Sequence, residues 1–224
     1  MRFNKPIDMP RSTHYGSNFY TVYSRKNNRV MNFYSNLEYY NYLNLEANSK
    51  VKSYCEQPYK IDFVQDGKLK HAIFDTWVEY WDGTSEFQEV KYSRELAGDN
   101  PGSLRSIEQI RREEAWCEEN NIKFVLKTEK ELEKGPFYIQ NLNAIVARFR
   151  RYIPSESEFY NPRIIKALDL NGPLFIEDLI KNKLLPINNE MNHICYLYCK
   201  GIIDMNIQDK LFDYKAKVIL CTIK

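Results

Sequence analysis

Phe74-Asp75-Thr76-Trp77, followed by Gln88-Glu89-Val90-Lys91, decides how this chain is read. Lys70 to Tyr80 and Glu86 to Tyr92 are both rich in β-branched and aromatic residues, and Asp82-Gly83 between them is a turn signal, so the segment reads as a β-hairpin. Side chains alternate along a strand, which puts Glu89 and Lys91 on one face and Val90 on the other. Register then matters. A two-residue Asp82-Gly83 turn pairs Asp75 with Val90 and sends Asp75 and Glu89 to different faces. A three-residue loop Trp81-Asp82-Gly83, with Gly83 as the left-handed residue of a G1 bulge, sets Asp75 opposite Glu89. The spacing predicts that loop or an equivalent bulge.

Two carboxylates and an ammonium in that arrangement are the equipment of metal-assisted phosphodiester hydrolysis. The acids hold Mg²⁺, which polarises a phosphate and generates hydroxide, while the ammonium orients water or offsets developing charge. Asp-x13-Glu-x-Lys alone is a weak pattern in a charged chain. The flanking Phe74, Trp77, Phe87 and Val90 suggest strands covered on both faces, and covered carboxylates need partners. A third acid stands upstream, where Ser35-Asn36-Leu37-Glu38 opens a helical stretch to about Ala47. Ser35 and Glu38 form a capping-box pattern, so helix capping and metal binding are both open for Glu38.

Downstream, Pro101-Gly102-Ser103 introduces a helix with Leu104, Ile107 and Ile110 on one side and Trp116 in its last turns. Asn120-Asn121 breaks it, and Ile122 to Leu126 reads as a buried strand, implying a parallel crossover. The order is helix, three antiparallel strands (Val51 to Tyr54 or Tyr59 to Val64, then the hairpin), helix, parallel strand. This α/β order is that of restriction-endonuclease-like nuclease cores.

The chain has 224 residues, enough for one medium and one small domain. With 32 Lys plus Arg against 30 Asp plus Glu, net charge does not announce a nucleic-acid binder. Local patches are the candidates: Arg2-Phe3-Asn4-Lys5 with Arg11, Arg25-Lys26 with Arg29, and Arg148-Phe149-Arg150-Arg151. The five cysteines lack paired Cys-x-x-Cys units, and Cys195, Cys199 and His193 lie in one apolar helical pattern, which reads as core rather than a zinc site. No apolar signal core or membrane-length segment stands out, so a cytoplasmic setting without membrane partners is expected. Pro154-Ser155-Glu156-Ser157 is a linker signal, dividing residues 1–153 from residues 154–224. Beyond it, helices near Pro162 to Leu168, Leu174 to Lys181 and Asn188 to Lys200 precede a hairpin of Ile202 to Met205 and Tyr214 to Thr222, the order of a small winged-helix domain. Asn188 to Lys200 is poor in base-reading donors, so this domain reads as a protein-contact module.

Tyr20 to Arg29 followed by Val30, then Ser35-Asn36-Leu37-Glu38, Glu56-Gln57-Pro58, Asp75 and Glu89-Val90-Lys91 resemble, in that order, the TnsA endonuclease subunit of heteromeric cut-and-paste transposases. The resemblance covers nearly the full length. It implies a PD-(D/E)xK nuclease domain with an N-terminal hairpin extension, catalytic residues Glu38, Asp75, Glu89 and Lys91, and metal ligands Glu38, Asp75, Glu89 and the Val90 carbonyl. Two Mg²⁺ ions, replaceable by Mn²⁺, and cleavage of the 5′, non-transferred strands at transposon-end DNA are implied likewise. So are a partner transposase of the TnsB type and, through the C-terminal domain, an AAA+ regulator of the TnsC type. Some members carry Gln where this chain has Glu89. The family's further helix carboxylate has no clean counterpart in Glu108-Gln109-Ile110-Arg111-Arg112-Glu113-Glu114 and stays unassigned. Two alternatives are open: a non-catalytic assembly subunit of the transpososome, and a stand-alone restriction or repair nuclease of the same fold.

Overall fold

The computed structural model describes residues 3–9, 18–65 and 67–221. It divides into two compact units, Met1–Leu45 with Lys50–Leu132 and Glu46–Ser49 with Glu133–Lys224. The first unit opens with an antiparallel hairpin, β1 (Tyr20–Ser24) and β2 (Arg29–Phe33), then helix α1 (Asn36–Ala47) and strand β3 (Val51–Glu56). An antiparallel ribbon follows, β4 (Lys60–Gln65) with β5 (Lys68–Ile73). Strands β6 (Thr76–Tyr80) and β7 (Ser85–Val90), helix α2 (Pro101–Glu119), strand β8 (Lys123–Lys127) and the short helix α3 (Glu129–Leu132) complete it.

The central sheet has the order β3-β6-β7-β8, antiparallel except for the parallel β7–β8 edge. Val51–Glu56 is thus its third antiparallel strand, and the Tyr59 to Val64 segment goes to the separate ribbon. The stretch Lys70 to Tyr80 is not one continuous strand, as the sequence suggested. It bends at Phe74-Asp75, so β5 pairs with β4 and β6 pairs with β3 and β7. Phe74 accounts for the break: its ring is fully buried, stacks on Phe87 at 4.1 Å and sits 5.6 Å from Trp116 of α2. Helix α2 starts at a cap in which Asn100 Oδ1 accepts from the Gly102 and Ser103 amides at 2.9 and 3.0 Å.

In the second unit, helices α4 (Tyr138–Phe149), α5 (Ser157–Asn171), α6 (Ile176–Lys181) and α7 (Glu190–Cys199) accompany a three-stranded sheet. Its strand order is β10 (Ile203–Met205), β11 (Lys217–Leu220), β9 (Leu174–Phe175), antiparallel throughout. Leu174-Phe175 is therefore strand and not the start of a helix. The units part at Leu132/Glu133 rather than at 153/154. The cause is α4, which buries Leu142, Ile145, Val146 and Phe149 and packs on α7. Among the described residues no helix is long and apolar enough to cross a membrane.

The β6–β7 register is the expected one. Thr76 faces Gln88 and Trp77 faces Phe87, and Tyr80 N–H donates to the Thr84 carbonyl at 2.9 Å around the loop Trp81-Asp82-Gly83. Gly83 holds φ at 87°, and a Cβ there would meet nothing within 4 Å. Gly83→Ala should therefore cost only backbone strain, lowering the urea-unfolding free energy by about 1 kcal/mol with an unchanged m-value. An unaltered midpoint would show that the loop tolerates another conformation.

Candidate active site

Strand alternation on β7 sorts the site. Phe87 and Glu89 face α2, where Phe87 meets Trp116 and Glu89 Oε1 accepts from Gln109 Nε2 at 3.1 Å. Gln88 and Val90 face α1: Gln88 Oε1 accepts from Asn41 at 3.0 Å, and Val90 packs with Leu37. Asp75 lies one residue before β6, where the register continues to Glu89. Its N–H donates to Glu89 Oε2 at 3.3 Å, and its Oδ2 accepts from the Val90 N–H at 2.9 Å. Lys91 Nζ stands 2.9 Å from Glu89 Oε1, on the shared face that alternation requires. Asp75, Glu89, Val90 and Lys91 are thus brought together.

Glu38 joins them from α1 and also serves its own helix end. Ser35 Oγ accepts from the Glu38 N–H at 3.1 Å, while Glu38 Oε2 accepts from the Tyr34 N–H at 3.2 Å, one residue earlier than in a standard capping box. The same oxygen accepts from Gln57 Nε2 at 2.8 Å. Gln57 is the residue the sequence reading quoted without a role. It is buried, its φ of 37° is left-handed, and its own N–H donates to the Asp75 carbonyl at 2.9 Å. One residue thereby ties the α1 acid to the strand acid, and the strained backbone is what aims both groups.

Sequence reasoning missed Glu113. Its side chain is fully buried, and Gln109 Nε2 bridges Glu113 Oε1 at 2.8 Å and Glu89. The signal was present: Glu113 lies three residues after Ile110 and four before Cys117, the stripe α2 buries, whereas Leu104, expected on the apolar side, is exposed. A glutamate on a helix's buried stripe needs a partner.

The acids share one electrostatic fate. Burial, then repulsion from Asp75, raises Glu38 to about 7. Burial raises Asp75 above the ordinary carboxylate range, and burial with Asp75 repulsion raises Glu89 well above it. Burial, reinforced by Asp75, lifts Glu113 to about 8. Burial disfavours the Lys91 ammonium, but Glu89 and Asp75 outweigh it and hold its pKa above the usual lysine value.

Among the described residues no group of three or more His, Cys, Asp or Glu side chains gathers as a ready-made metal cage. Mg²⁺ characteristically takes one or two carboxylates and completes its octahedron with water and substrate phosphate, so an oxygen-only pair such as Asp75 and Glu89 suits it. Buried Glu113 Oε2 has no hydrogen-bond partner, and a cation nearby would relieve it.

Several basic residues singled out in the sequence have structural work. Arg29 forms a two-pronged pair with buried Glu56, one prong at 2.7 Å. Lys26 Nζ donates to the carbonyls of Leu45 and Val51 at 2.8 and 3.1 Å, and Arg148 donates to Ala144. Arg2 and Arg11 lie outside the described residues. Cys195, Cys199 and His193 are buried in α7, with His193 Nε2 2.9 Å from Asn161 Oδ1.

Residues 48–129 match the family model described as the TnsA-like endonuclease N terminal. The match contains Asp75, Glu89, Lys91 and Glu113, and Glu38 precedes it. No curated protein matches the chain.

The raised carboxylates fix a pH signature. A carboxylate whose folded pKa exceeds its unfolded value stabilises the fold at low pH and loses that contribution as pH rises through the folded pKa. His193, lowered by burial to about 4, has the opposite slope, complete by about pH 6.5. The metal-free protein should therefore lose stability between about pH 6.5 and 8. Glu113→Gln should flatten that decline in thermal melts, and a melting temperature that rises with pH across the window in wild type would contradict the assignment.

Proposed function

We propose that this chain, whose residues 48–129 are a TnsA-like endonuclease N-terminal domain, is the subunit of a transposase that nicks the 5′, non-transferred strands at transposon ends. The observation that carries the reading is the convergence of Asp75, Glu89 and Lys91 on one face of the β6–β7 pair, inside the matched segment and backed by Glu38 and Glu113.

Asp75 and Glu89 are the residues that would hold Mg²⁺, with Glu38 and the Val90 carbonyl completing the protein's share. Bound there, Mg²⁺ supplies Lewis-acid polarisation of the phosphate and a water acidic enough to attack it. Two ions per site are consistent with the number of carboxylates. Lys91, an ammonium beside Glu89, is placed to orient the attacking water and to offset charge at the phosphate. Gln57 and Gln109 fix Glu38 and Glu89 by donating neutral amide hydrogens, which leaves the site's negative charge for the metal.

From α5 onward, the second unit's order of helix, strand, two helices and a two-stranded hairpin supports a winged-helix reading. Helix α7 buries His193, Ile194, Cys195, Leu197 and Cys199, which suits packing and partner contact better than base reading. In this reading DNA position comes from a TnsB-type transposase at the transposon ends, and the second unit engages a TnsC-type ATPase.

Asp75→Ala should abolish strand nicking in the presence of the transposase and leave the thermal melt near wild type, since it removes a repelling buried charge along with a ligand. Mg²⁺ or Mn²⁺ should support nicking, while Ca²⁺ supports binding with little turnover. Nicking that survives exhaustive chelation, or wild-type-like nicking by Asp75→Ala, would refute the mechanism.

A further inference from the structure

Beside the carboxylates runs a groove of about 430 Å³. Phe63, Lys70 and His71 of the β4–β5 ribbon form one wall, and Arg105, Gln109 and Arg112 of α2 form the other. None of these basic residues belongs to the clusters the sequence made conspicuous, because strand pairing and a helix bring together cations some thirty-five positions apart in the chain.

At one point the groove meets the site: Gln109, part of its wall, is the residue that bridges Glu89 and Glu113. Along the rest of it cations dominate. Lys70, His71 and Arg105 are exposed. Arg112 lies 4.1 Å over the Phe63 ring, which fixes its guanidinium between helix and ribbon. The groove's carboxylate is Glu108, and its partner is Arg112 in the next helical turn. The lining therefore carries three full positive charges and a histidine against one acid.

We propose that this groove holds the sugar-phosphate backbone of the DNA strand whose scissile phosphate is presented to Asp75 and Glu89. The inference rests on the endonuclease reading above. A repeating chain of phosphates is the ligand class that a cationic trough leading to these acids fits: the cations bind the backbone on either side, and the acids, which would repel it, face the one phosphate at which a bound cation would offset the charge. Lys70 and Arg105 contact phosphate, while Arg112 mainly shapes the wall. A protein partner would instead use Val64 and Leu69 at the ribbon's far end, which are paired across the strands and 71 % and 76 % exposed.

The test uses the full chain, in calcium, with a fluorescein-labelled DNA duplex of arbitrary sequence, reading anisotropy across a salt series. Lys70→Ala with Arg105→Ala should weaken binding about tenfold or more at low salt and flatten the log-log salt slope by about two, near one unit per lost phosphate contact. Val64→Ser with Leu69→Ser should leave both unchanged. Arg105→Glu, at an exposed helix position, gives a second variant that should shift affinity in the same direction if the double variant folds poorly. If wild type binds and cuts with its transposase while the double variant keeps its affinity and slope, the groove assignment is wrong and the endonuclease reading stands. If wild type binds without ever cutting and the double variant loses binding, the groove stands and the endonuclease reading falls. Weakening by the Val64 and Leu69 substitutions alone, or loss of transposase contact without loss of DNA affinity, overturns the proposal.

Discussion

The constraint this structure is arranged around is the desolvation of clustered carboxylates, compounded by their repulsion. Asp75 repels Glu38, Glu89 and Glu113, and Glu89 and Glu113 also act on each other, so each acid is harder to ionise than burial alone would make it. Without a metal the protein answers in three ways. It lets the acids retain protons into the neutral range, it sets the Lys91 ammonium against Glu89, and it directs uncharged donors at the oxygens: the Gln57 and Gln109 amides and the N–H groups of Tyr34, Asp75 and Val90. Uncharged donors orient a carboxylate without cancelling it. Such a site keeps its negative charge available, as the proposed metal-dependent reading requires.

The motif Glu56-Gln57-Pro58 shows how a short word in the sequence can divide its labour. Glu56 anchors the N-terminal hairpin through Arg29, so an arginine that looked like a phosphate contact is committed to the fold. Gln57 turns the chain through a left-handed residue and spends its two donors on Asp75 and Glu38. Pro58 then carries the chain to β4, at the base of the cationic ribbon. Charge, strain and rigidity sit on consecutive residues because each positions a different neighbour.

What was legible in the sequence was local. The Asp82-Gly83 signal and strand alternation sufficed to place Asp75 opposite Glu89, since loop length leaves few choices of register. The bend at Phe74-Asp75 was not legible, because β-propensity runs unbroken through it and only tertiary burial of Phe74 ends one strand and begins another. Glu113 escaped because attention to apolar residues favoured Leu104 and Ile107, whereas the buried stripe runs through Ser103, Ile110, Glu113 and Cys117. The Pro154-Ser155 stretch falls inside the second compact unit, because the apolar face of the amphipathic Tyr138–Phe149 helix already belongs to that unit's core.

The same locality explains how a chain of formal net charge +2 can serve a polyanionic substrate. Long-range attraction scales with net charge and is screened within about 8 Å at physiological salt, so this chain gains little from steering. A cationic groove flanked by acids would attract a polyanion locally, and the acids would repel it unless a bound cation offset their charge. On the proposed reading, binding in register, metal occupancy and cleavage competence would be linked through one charge balance. On the proposed endonuclease reading, such a balance would keep the protein quiet on DNA at large and let it act where another protein holds the strand in place.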